Sequence, residues 1–256
     1  MSLLHAEYLK LSRRRLYLVM VLILAALVGL LAMAFLVFPQ VAPEAAAEGG
    51  LPIIDKPAAY LFGAQQVAGQ TWFPLILAVV MLGSEFGSTV WATALSRDSR
   101  RIPQITARFV VLAVAAWLAV TLGIAGWAAI TAIAASGEGG LTVTDWLGLV
   151  WKVGLIELAW TAIGLGAVAM LRSVGPAIGA ALAFYFVDSL VILWRPYQNI
   201  SLSAATTAMF QVEIPGEFGE IFGGSSLALW HAVIIMLAWT ALGFFLTWWG
   251  LHRRDA

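Results

Sequence analysis

Apolar residues recur along this chain in runs longer than a soluble core uses. A helix needs about 20 mostly apolar residues to cross a hydrocarbon layer of ~30 Å, and six stretches reach that length: 16–38, 67–88, 106–134, 146–171, 174–194 and 227–250. Leu16 to Phe38 carries no charge and stops at Pro39 and Pro43. The second stretch is uneven, because its most apolar part, Trp72 to Gly83, is short and must borrow from Phe62–Thr71 or from Ser84–Val90. The pattern predicts an all-α membrane protein of six spans, forming one transmembrane domain over 1–256. Upstream of the first span, Leu4, Tyr8 and Leu11 fall on one helical face beside Lys10 and Arg13, Arg14 and Arg15. Residues 1–15 therefore read as an amphipathic helix lying at the membrane interface, or as a basic flank that only sets topology. The 23-residue apolar run exceeds the usual ~7–15 of a cleavable signal, so the first span is expected to be retained.

The connections differ in length. Arg172 and Ser173 alone join spans four and five, which must then be antiparallel neighbours. Residues 195–226 are too few to span twice, yet Leu202 to Val212 is too apolar for a loose loop. A pair of half-helices re-entering the outer leaflet is the expectation, with an ordinary external cap as its alternative.

Composition agrees with a lipid-facing surface. Of 256 residues 62% are hydrophobic and 11% charged, against about 45–50% apolar and about 25% charged in soluble domains. Fourteen basic and fourteen acidic residues leave no net positive field to collect nucleic acid. The absence of cysteine excludes disulfides, iron–sulfur clusters and thiol catalysis. Eleven of the fourteen basic residues fall before span one, between span two and the first turn of span three, between four and five, or after six. By the positive-inside rule both termini are expected in the cytoplasm, with the chain multi-pass in a plasma (inner) membrane.

Between spans two and three the sequence reads Gly83-Ser84-Glu85-Phe86-Gly87-Ser88-Thr89, then Leu95-Ser96-Arg97, Ser99-Arg100-Arg101 and Ala107-Arg108. This segment resembles the cytoplasmic loop of type 2 ABC-transporter permeases. In that family an acidic-aromatic pair ends the second span, a Gly-Thr follows, and Leu-Ser and Ser-Arg pairs precede the third; here Ser88 stands where the glycine would be. The six-span layout, basic start and long last external segment agree over nearly the whole chain. The resemblance implies a transport subunit, of exporter type, whose loop 86–104 forms a coupling helix seated in a partner ATPase. Glu85, Phe86, Thr89, Arg97, Arg100 and Arg101 would then carry the coupling, and Arg13 to Arg15 would hold the interface helix. Spans one, two and five would line the pathway.

Energy would have to come from the partner. A P-loop needs Gly-Lys-Ser/Thr, and Lys10, Lys56 and Lys152 follow Leu9, Asp55 and Trp151. The chain thus reads as no enzyme itself, with no cofactor of its own, ATP and magnesium being bound by a separate P-loop ATPase. The family pattern implies a second copy or a paralogue beside it, and membrane lipids around both.

Three ionisable residues fall well inside spans, away from their ends, where charge is costly: Lys152, Glu157 and Asp188. Lys152 and Asp188 lie at similar depth on neighbouring helices and are expected to pair, either as structural glue or as substrate or gate chemistry. Glu157 is expected either as a protonated side chain bonded to another span or as a cation or proton site. Gly175-x-x-x-Gly179, with Gly164 and Gly166, would allow close helix contact. No histidine spacing suggests a metal. Two rival readings stay open: an ion-coupled secondary transporter using Glu157 and Asp188, and a non-transporting membrane sensor or scaffold.

Overall fold

The computed structural model describes residues 3–48, 54–86, 101–135, 137–191, 194–212 and 227–252. Among them the regular structure is helical throughout, and six helices are long and apolar enough to cross a membrane. Helix α1 (Leu3–Ser12) turns at Arg13 and Arg14 into α2 (Arg15–Ala32). A π-helical turn at Met33–Val37 and α3 (Phe38–Val41) complete the first span. The wide turn falls just before Pro39, whose missing N–H interrupts the hydrogen-bond ladder.

After α4 (Pro43–Glu48), the second span runs from Lys56 to Phe86, eleven residues earlier than the sequence pattern set its start at 67. It is two helices, α5 (Lys56–Ala68) and α6 (Trp72–Phe86), interrupted at 69–71. Asp55 caps α5 by accepting from the Ala58 amide at 3.3 Å, and Pro57 stands in its first turn. Hydropathy understates α5 because the helix is interior: Phe62, Ala64 and Val67 are fully buried, and the Trp127 indole N–H donates to the Ala59 carbonyl at 3.0 Å. A Cβ at Gly63 would overlap that indole, so glycine is what lets it reach the α5 backbone.

The remaining elements are α7 (Arg101–Ala134), α8 (Val143–Leu171), α9 (Val174–Val191), α10 (Arg195–Gln198), α11 (Leu202–Ala208) and α12 (Leu229–His252). Thr142 and Asp145 form a reciprocal capping box that starts α8, and Arg172, at φ 51°, ends it in the left-handed conformation. Helix α8 is the centre of the bundle. A Cβ on Gly164 would stand 2.7 Å from the Leu75 carbonyl of α6, and one on Gly243 of α12 would stand 2.5 Å from the carbonyl carbon of Ala162. These glycines let backbones approach where lipid offers no hydrophobic drive for helix association. Gly175 and Gly179 are different, with nothing among the described residues within 4 Å of where a Cβ would stand. Spans two and four are mostly buried, whereas spans one, five and six keep most of their surface outward.

Candidate functional site

The end of the bundle where α6 stops and α7 starts gathers four charges. Glu85, in the last turn of α6, is buried, and so is Arg108, two turns into α7. Arg108 Nη2 donates to Glu85 Oε2 at 2.6 Å and to Glu7 Oε1 of α1 at 3.2 Å. Lys10 Nζ donates to Glu7 Oε1 at 2.7 Å and to Glu85 Oε1 at 3.4 Å. Two acids and two bases from three elements thus cancel in a site largely closed to water, where removing any one would leave its partner uncompensated. Burial works to raise the Glu7 carboxyl, but the Arg108 guanidinium and the Lys10 ammonium outweigh it and hold it below the usual carboxylate range.

Glu85 is therefore a member of a buried network rather than a carboxylate reaching water. Composition and the positive-inside rule give Lys10 and Arg108 no partners and leave Glu7 without a role. Its i,i+3 spacing with Lys10 was the available clue. Nearby, Arg14 Nη1 donates to Ser84 Oγ at 2.5 Å, while Arg13 and Arg15 are exposed. Phe86 lies under the Arg172 guanidinium, 6.0 Å from ring centroid to Cζ, and Arg172 Nη2 donates to the Gly250 carbonyl at 3.1 Å. One arginine thus bridges the ends of spans two, four and six.

Residues 87–100 lie outside the described residues, and with them Thr89, Arg97 and Arg100. Arg101 begins α7. Glu85 stands in the last turn of the helix before that segment and Arg108 two turns into the helix after it, so their bond joins the two helices that flank it.

The expected pairing of Lys152 with Asp188 is not what forms. Asp188 is fully buried and accepts from the Tyr197 hydroxyl at 2.8 Å, the Ser203 amide at 2.6 Å and the Leu202 amide at 3.3 Å. The chain folds back directly after the short α9, so the amides opening α11 reach the carboxylate first, as orphan donors at a helix start require. Lys152 is half-buried and makes no ion pair among the described residues. Burial first, then the bond to Asp188 and its charge, push the Tyr197 phenol up to about 12.

The first part of the 195–226 segment is buried, with Leu202, Ala204, Ala205, Ala208 and Met209 closed to solvent. Trp160 Nε1 donates to Thr206 Oγ1 at 3.3 Å and Trp239 Nε1 to the Ile200 carbonyl at 2.8 Å. Both tryptophans lie well inside their helices. Residues 213–226 fall outside the described residues.

Glu157 stands in the middle of α8, fully buried, and neither carboxyl oxygen has a hydrogen-bond partner among the described residues. The Thr161 hydroxyl one turn on is unpartnered too. Glu157, Thr161 and Gly164 share one stripe of α8 by helical spacing. Gly164 faces Leu75 and Ala78 of α6, so two turns toward the start of α8 the stripe reaches the level of the interruption between α5 and α6. Among the described residues no cluster of His, Asp or Glu could hold a metal ion. The chain matches no family model and no curated protein with which it was compared.

Proposed function

We propose that this chain is the membrane-spanning permease subunit of an ABC transporter, of exporter type, working with a separate P-loop ATPase that binds ATP and magnesium. The observation that carries the reading is the buried Glu85–Arg108 bond at the roots of the loop whose sequence resembles the family's coupling helix. A push on that loop by a soluble partner would move spans two and three as one body, and α1 with them through Glu7 and Lys10. In this reading the termini are cytoplasmic in a plasma membrane, and the outward faces of spans one and five are where a second copy or a paralogue would sit. The buried α11, bonded to Trp160 deep in span four, supports a segment that dips into the outer leaflet.

The test is co-purification. Tagged protein is taken from its native membrane in mild detergent and its companions are identified by mass spectrometry, wild type beside Arg100→Glu/Arg101→Glu. A stoichiometric P-loop ATPase, lost in the variant, is the expected result. If no ATPase accompanies the wild type where a known permease keeps its own, the reading fails.

One observation favours a second reading. The unpartnered Glu157 carboxyl, level with an interrupted span, is the arrangement an ion-coupled transporter uses. That reading requires transport without an ATPase and its loss in Glu157→Gln.

A further inference from the structure

We infer that the elbow between α1 and the first span, with the α7 face beside it, is a binding site for one anionic phospholipid. A cavity of about 310 Å³ opens there, within the roughly 300–1,000 Å³ typical of ligand sites. Its walls include Tyr8 and Leu11 of α1, Tyr17 of α2, and Val110, Val114 and Leu118 of α7. Those last three recur every fourth residue, so they form one exposed stripe about 12 Å long. The half-buried Tyr17 hydroxyl in the slot is already satisfied, because it donates to the Ala115 carbonyl at 3.1 Å. What is left is an apolar slot that fits an acyl chain.

The charge at its mouth selects the headgroup. Ser12 and Tyr17 both line the cavity, and Arg13, Arg14 and Arg15 are part of the short link between them. Consecutive Cα atoms are only about 3.8 Å apart, so the backbone of these three residues runs along the edge of the cavity, although none of their side chains is among its walls. Arg14 is engaged with Ser84. Arg13 and Arg15 are exposed and have no side-chain partner among the described residues. Guanidinium groups bind phosphate oxygens through paired, charge-assisted hydrogen bonds. Two of them at the foot of a span, above an apolar slot, match a phosphodiester with an uncharged headgroup such as phosphatidylglycerol. They repel the terminal cation of a zwitterionic lipid. Basic pockets between spans recognise headgroups in this way. The bound lipid would brace α1 against α2 and α7, whatever the chain transports.

The full chain is reconstituted into nanodiscs of equimolar phosphatidylglycerol and phosphatidylcholine, then released into mild detergent, and retained lipid is counted by native mass spectrometry. Wild type is expected to keep one phosphatidylglycerol per chain in preference to phosphatidylcholine. Arg13→Gln and Arg15→Gln should each cut that preference about fivefold, and together about 25-fold. Val114→Trp fills the slot with both arginines intact and should abolish retention. Should that variant fail to fold, Leu118→Trp probes the same slot. The inference is overturned if wild type shows no phosphatidylglycerol preference, or if a folded slot-filling variant retains lipid as wild type does, which is diffuse surface attraction only.

Discussion

Arg108 and Glu85, 23 positions apart, meet through a 2.6 Å bond with both side chains shut off from solvent. The bond closes the loop between the second and third spans at its base.

A buried pair of this kind tolerates loss of both partners better than loss of one. Arg108→Ala should therefore destabilise the protein by about 3–5 kcal/mol, whereas Glu85→Met/Arg108→Met should cost less than either single change. Unfolding of each variant in nanodiscs measures this. A single variant as stable as wild type would show that water or lipid headgroups already compensate the charges.

Glu7 makes the docking of α1 depend on pH in a definite direction. Its carboxyl is held below the usual range, so its stabilising contribution is complete above the unfolded value of about 4.3 and fades as pH falls through the lower folded value. Helix α1 should stay docked from pH 7 to about 5 and loosen only in stronger acid. The chain has no cysteine, so one label at Leu4→Cys reports α1 mobility by electron paramagnetic resonance. Glu7→Gln should be mobile at every pH, and a label whose mobility rises already near neutrality would contradict the assignment.

Tyr197 gives the opposite sign. Its phenol is pushed up to about 12 by burial and by Asp188, so the Tyr197–Asp188 bond contributes fully below pH ~10 and is lost as pH rises through about 12. Alkaline absorbance titration of wild type minus Tyr197→Phe isolates this phenol. In Asp188→Asn it should ionise at lower pH, because the charge and the carboxylate acceptor are both gone; an unchanged midpoint would mean that burial alone sets it.

Two sets of glycines should separate by substitution. Gly243→Ala drives a methyl against the α8 backbone at Ala162 and should cost about 1–3 kcal/mol. Gly179→Ala meets open space within the protomer and should leave its unfolding unchanged within about 0.5 kcal/mol. Any effect of Gly179→Ala on the association of copies in a crosslinking assay then reports contact between chains.

Much of this was legible from local pattern. Span number follows from runs of apolar residues, because a helix in lipid must satisfy its own backbone and present about 20 apolar residues. The tight α8–α9 hairpin at Arg172 was equally readable, since two residues leave no other path. The start of the second span was not. Helix α5 is sheathed by protein rather than lipid, so its glutamines and small residues lower its hydropathy without marking an exit from the membrane.

Sequence by itself determined the helical class, the six runs long and apolar enough to cross a membrane and the segments rich in arginine, because each depends on composition within a few dozen neighbouring residues. Tertiary structure alone decided the partners of the charges. Glu85 meets Arg108 and Lys10 and shares both with Glu7, Asp188 caps α11 instead of pairing with Lys152, and Glu157 meets none among the described residues. A buried charge takes whichever donor the fold brings within about 3 Å, and that depends on how helices distant in sequence pack, on where α9 stops and on how closely glycine lets α8 approach its neighbours.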